Sequence, residues 1–133
     1  MSHNYTVFFE PFTDNHYIKK FIKKYKERAW DNTQKAIIAM CMRIDSVLLS
    51  KRADCISTID SCKLVKMDFA VDGTHISPRS SGNRCILYIN EEERHVRVLL
   101  VYSKNDISLK NETQEWKNII KKEYSDIEKL FSL

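Results

Sequence analysis

The amino-acid sequence predicts a single α+β domain over residues 1–133. Two observations carry the prediction. Short β-branched and aromatic runs alternate with stretches of helical periodicity, in the order strand, two helices, three strands, helix. Only two glycines and two prolines punctuate a chain in which 30% of residues are charged, which suits long elements with few tight turns and argues against sandwich and disordered classes. A hydrophobic fraction of 43% is enough for one core in 133 residues.

Tyr5-Thr6-Val7-Phe8-Phe9 reads as the first strand and stops at Pro11, which has no N–H for a sheet ladder. Thr13 or Asp14 caps a helix whose Tyr17, Ile18, Phe21, Ile22 and Tyr25 recur at helical spacing, with lysines on the other face. From about Asp31 to Arg52, Ile37, Cys41, Ile44 and Leu48 form a second helical stripe, and a connection at Arg28–Asn32 makes the two helices a hairpin.

Asp54–Ser61 is polar and reads as a loop, Lys63–Val71 as a strand, and Asp72–Gly82, where Gly, Pro and Ser gather, as a long loop. Arg84–Asn90 and Val96–Ser103 form a hairpin about Glu91-Glu92-Glu93. Asn111, with Gln114 three residues on, opens a last helix whose apolar side is Trp116, Ile119, Ile120, Ile127, Leu130 and Phe131. The expected architecture is an N-terminal strand, a helical hairpin, a three-stranded antiparallel meander and a C-terminal helix. Helices segregated to one side would leave the other sheet face open to a partner.

The apolar runs are too short for a membrane span, and Met1-Ser2-His3-Asn4-Tyr5 lacks the charged and apolar regions of a signal peptide, so a cytoplasmic location without membrane association is expected. Cys41, Cys55, Cys62 and Cys85 show neither CxxC spacing nor a zinc-finger histidine pattern, and Cys41 and Cys85 fall among apolar residues. No metal site is read from them. A net charge of +4 permits an anionic partner, and its distribution matters more. Lys19, Lys20, Lys23, Lys24, Lys26 and Arg28 crowd one early segment against Glu27, as on a nucleic-acid surface or on the solvated face of an ordinary helix.

The chemistry-bearing candidates are Arg84, Tyr88, Tyr102 and Lys104. Strand alternation puts Val98, Leu100, Tyr102 and Lys104 on one face and Leu99, Val101 and Ser103 on the other. An odd-length hairpin loop sets Arg84 across from Tyr102, whereas an even one sets it across from Val101. Arginine holds phosphate bidentately, lysine offsets charge growing on an attacked phosphate, and tyrosine stacks on bases. A group of this kind can cleave RNA without metal by stabilising a dianionic transition state. Plain alternatives stand beside each: ion pairing for Arg84, half-buried cross-strand packing for the tyrosines, a solvated strand end for Lys104. His75 and Arg79 share the long loop.

Arg84-Cys-Ile-Leu-Tyr88, then Val96-Arg-Val-Leu-Leu-Val-Tyr-Ser-Lys-Asn-Asp106, then Asn111-Glu112-Thr113 with Trp116, resembles the RelE-like toxins of bacterial type II toxin–antitoxin systems, notably the branch near HigB. The resemblance implies a RelE-like fold whose open sheet face binds messenger RNA in the ribosomal decoding site, and an antitoxin partner. It implies a metal-independent, ribosome-dependent mRNA endonuclease that inhibits translation and needs no cofactor. Arg84 matches the arginine opening the family's third strand, and Lys104 the basic residue ending the next. Tyr102 would position or stack on a base, and Lys19, Lys20, Lys23, Lys24, Lys63, Lys66, Arg79 and Tyr88 would contact RNA. DNA binding is expected only of the toxin–antitoxin complex. Asn105 stands where several active members carry a second basic residue. That departure keeps two alternatives in view: a ParE-like gyrase inhibitor and a catalytically inactive RelE-fold interaction module.

Overall fold

In the computed structural model, which describes residues 4–133 apart from the side chain of Leu109, five strands form one mixed sheet. The opening residues read above for a targeting signal lie outside the described residues as far as His3. β1 (Thr6–Phe9), β2 (Ala53–Ile59), β3 (Cys62–Phe69), β4 (Asn83–Asn90) and β5 (His95–Tyr102) are arranged in the order β1-β5-β4-β3-β2. β1 runs parallel to β5, and every other neighbouring pair is antiparallel.

The α+β class is as expected, but the meander has four strands and not three. Asp54–Ser61, read as a loop, contributes most of β2. The reason is positional: β2 is an edge strand with most side chains in solvent, so it shows none of the apolar alternation that reveals a strand.

Pro11 opens a helical segment, since a first-turn residue needs no N–H partner. It comprises α1 (Pro11–Thr13), a π-helical turn (Asp14–Ile18) and α2 (Lys19–Tyr25). Thr13 is not a cap. It is buried, and its Oγ accepts a hydrogen bond from the Val101 N–H at 2.8 Å, satisfying the β5 edge beyond the end of β1. A sharp corner at Lys26 (φ 70°) leads into α3 (Glu27–Met42), so the hairpin connection comes earlier than Arg28–Asn32; α4 (Ile44–Leu49) follows a break at Arg43.

The long loop contains a short helix, α5 (Pro78–Ser81), capped by Ser77 Oγ, which accepts from the Ser80 N–H at 3.3 Å. After β5, a 3₁₀ turn (Leu109–Asn111) leads to α6 (Glu112–Glu123) and α7 (Ser125–Phe131). The expected capping box at Asn111 does not form. Gln114 donates to Asn118 Oδ1 instead, at 2.9 Å.

Helices cover both faces of the sheet. On one side, Phe21, Trp30, Ile37, Cys41 and Ile44 pack on Val65, Met67, Leu87 and Val98. On the other, Trp116, Ile120, Ile127 and Phe131 pack on Leu64, Ile86, Leu99 and Leu100. The expected open face is therefore closed, because both the α6–α7 stripe and the strand residues beneath it are apolar and leave water together. Cys41 and Cys85 are buried as expected, and burial pushes the Cys41 thiol up to about 12. No helix among the described residues is long and apolar enough to cross a membrane.

Trp116 is sealed at the centre of the α6–α7 layer. Trp116→Ala is expected to cost about 3–5 kcal/mol, read as a shifted midpoint in urea unfolding.

Candidate functional site

Arg84 does stand opposite Tyr102, but by a route the sequence does not disclose. The β4–β5 connection is Glu91–Arg94, with Asn90 paired to His95, an even-length loop that would place Arg84 across from Val101. A bulge at Leu99 adds one residue to β5, so Leu87 pairs with Val98 and Ile86 with Leu100, and the register arrives at Arg84 and Tyr102. The bulge also corrects the predicted faces. Val98 joins Val101 beneath the α2–α4 layer, whereas Leu99, Leu100 and Tyr102 lie beneath α6 and α7.

The pair is enclosed. Tyr102 is 0% exposed, and its hydroxyl donates to Glu112 Oε2 at 2.6 Å. Arg84 Nε lies 3.0 Å from Asp68 Oδ1 and 3.5 Å from Glu112 Oε2, so one guanidinium stands between two carboxylates. Burial, with the hydrogen bond to Glu112, drives the Tyr102 phenol far above its ordinary value. Burial also holds the Asp68 carboxyl above its usual range despite Arg84 beside it. A phenol of this kind stays protonated and holds Glu112, and with it the start of α6, against the sheet.

The remaining expected contacts are scattered. Tyr88 is buried under Phe131, with its hydroxyl 3.2 Å from Cys62 Sγ and the Arg97 guanidinium over its ring. Lys63 pairs with Glu91 at 2.9 Å, and Lys66 lies on the same sheet face as Asp68. Arg79 is exposed on α5.

Lys104 lies just beyond β5, exposed. Its stem passes Gly82, whose positive φ of 77° ends α5 and whose missing Cβ makes room: an added one would come within 2.9 Å of Lys104 Cδ. The turn that follows is stiff. The Asp106 carboxylate accepts from the Ser103 N–H (3.1 Å), Ser103 Oγ (3.2 Å) and Lys20 Nζ (3.1 Å), tying the strand end to α2.

Between α2 and this turn lies a pocket of about 200 Å³, lined by Lys20, Phe21, Lys24, Tyr25, Ser103, Asn105 and Asp106. Two of the four α2 lysines singled out by the sequence thus face the end of β5, while Lys19 and Lys23 are exposed without lining it. Tyr25 is the element that sequence reading missed here, since its helical spacing marks it only as core. Lys20 and Asp106 pair with each other, and the Lys24 ammonium leaves the pocket mouth with a net positive charge that attracts anions. Among the described residues, no group of three His, Cys, Asp or Glu side chains could hold a metal ion.

Compared with known proteins, the chain matches no family model, no curated protein and no solved structure.

Removing Arg84 leaves Asp68 and Glu112 facing each other without a counter-charge. Arg84→Ala is expected to lose about 2–4 kcal/mol in urea unfolding. The Tyr102 phenol releases its proton at higher pH folded than unfolded, where its value is about 10. Its contribution is complete below that pH and declines above it as the unfolded chain ionises first, by up to about 1.4 kcal/mol per pH unit. A pH series of unfolding midpoints should fall from about pH 10 upward, less steeply in Tyr102→Phe.

Proposed function

We propose that this chain is the toxin of a type II toxin–antitoxin pair and that it arrests translation by gripping ribosome-bound RNA on the surface between α2 and the Ser103–Asp106 turn. The supporting observation is that Lys20 and Lys24 enclose one pocket with Ser103, Asn105 and Asp106, the last three of which belong to the segment that carries the RelE-like resemblance. Phosphate contacts from such lysines supply sequence-independent affinity. A cognate antitoxin would neutralise the toxin, and an acidic one would find its complement in the α2 lysines.

A second reading is favoured by the register of Arg84 against Tyr102. It is the ribosome-dependent mRNA endonuclease, with Arg84 and Lys104 neutralising the scissile phosphate and Tyr102 positioning a base. Against it stand the ion pairs that occupy Arg84 and the burial of Tyr102. Arrest by occupancy therefore fits this geometry better than arrest by cutting.

Induced expression in bacteria tests both. Growth arrest with transcripts intact supports occupancy, and the Lys20→Gln/Lys24→Gln double variant, at equal protein level, is expected to relieve it. Cut transcripts, with cutting lost in Arg84→Lys, would support the endonuclease instead. Unimpaired growth at high soluble expression would overturn the toxin reading, and lost supercoiling with translation intact would move it to gyrase.

A further inference from the structure

Tyr25 separates two concavities. On one side is the pocket with Lys20, Phe21, Lys24 and Asn105; on the other is a shallower hollow lined by Tyr25, Lys26, Arg28, Ala29, Asn32 and Asp72. Its ring is half-buried, 6.3 Å from Phe21 and nearly parallel to it. The chain turns beside it at Lys26, a non-glycine residue held at φ 70°, a conformation that costs free energy and so must be imposed by the surrounding packing. Trp30, stacked 5.1 Å from Phe21 and 1% exposed, anchors the far side of that corner.

One cation lies over the ring, and two more line the hollow beside it. Lys24 Nζ lies 5.1 Å from its centroid, and among the described residues Lys24, Lys26 and Arg28 have no carboxylate partner. Of the two acids in the linings, Asp106 is taken by Lys20 and Asp72 accepts from Asn32 Nδ2 at 3.2 Å. An aromatic ridge between two hollows, bordered by unpaired cations and carboxamides, is the arrangement that tracks a single-stranded polyanion: rings stack on bases while ammonium and guanidinium groups follow the phosphates.

We propose that Tyr25 is a stacking wedge for single-stranded RNA, with one base in the Lys20–Asn105 pocket, its neighbour in the Lys26–Asn32 hollow, and the phosphate that joins them and the next one along the strand on Lys24 and Arg28. This deepens the RNA-gripping reading and rests on it. Asn105, at the tip of the stiff turn, offers its carboxamide to a base edge. Duplex RNA is excluded, because its bases are stacked on one another and present no free face to the ring.

The test uses the purified full chain with fluorescently labelled octauridylate, an abasic ribose-phosphate oligomer of the same length, and an RNA duplex, followed by anisotropy across a salt series. Octauridylate is expected to bind about tenfold more tightly than the abasic oligomer. Tyr25→Leu, which keeps apolar bulk against Phe21, should erase that difference without changing abasic binding. Lys24→Gln and Arg28→Gln should weaken both oligomers alike, each flattening the salt slope by about 0.7. Equal binding of the two oligomers, preference for the duplex, or full octauridylate affinity in a folded Tyr25→Leu chain would each overturn the wedge. Growth arrest without Tyr25-dependent binding would sink the wedge alone; Tyr25-dependent binding without growth arrest would sink the toxin reading and leave the wedge standing.

Discussion

One extra residue in β5 sets the arrangement of this fold. Without the bulge at Leu99, alternation would carry Tyr102 onto the α2–α4 side and set Arg84 across from Val101. With it, two successive leucines face α6 and α7, and every side chain beyond them exchanges faces. The second apolar layer follows from that exchange. Leu99, Leu100 and Tyr102 join Ile86 and Leu64 in a surface that only a covering helix can remove from water, and the Trp116–Phe131 stripe supplies the cover.

The same exchange decides the chemistry of the polar groups at the strand ends. A guanidinium drawn under a helix must keep carboxylates beside it, since desolvation of an unpaired charge costs several kcal/mol (~3–5). Asp68 and Glu112 meet that demand, and Glu112 at the start of α6 also receives the Tyr102 hydroxyl. The outer cations face the opposite situation. On α2 and at the α2–α3 corner, water solvates the charges, and while Lys20 pairs with Asp106, Lys24, Lys26 and Arg28 have no carboxylate partner among the described residues and stay available to a ligand. Enclosed charge organises the fold here, and exposed charge defines the accessible surface.

What the residues disclose in advance divides along the same line. The helical segments and the β4–β5 hairpin are readable from period because each buries a stripe. The breaks at Arg43 and Tyr124, which divide the second helix of the hairpin into α3 and α4 and the last helix into α6 and α7, are not, since the apolar spacing runs on across them. β2 is hidden because an edge strand facing water carries no stripe, and the Leu99 bulge because consecutive leucines look the same in either register. Thr13 reads as a cap when it serves the β5 edge, since a hydroxyl suits either task. The meeting of Arg84 and Tyr102 was legible as one of two registers, but its enclosure depends on where α6 folds back, and no local signal in Asn111–Trp116 fixes that. The α2 lysines were visible as a cluster. Their approach to Asn105 was not, as it joins residues far apart in the chain.

The two indole rings divide between the layers, Trp30 on α3 over one face and Trp116 on α6 over the other, and each buries an Nε1–H that finds no acceptor among the described residues. Each layer thus carries its own buried indole fluorophore. Single Trp→Phe replacements would let emission follow the two cores independently, and so reveal whether the halves of the molecule melt as one cooperative body or loosen in succession.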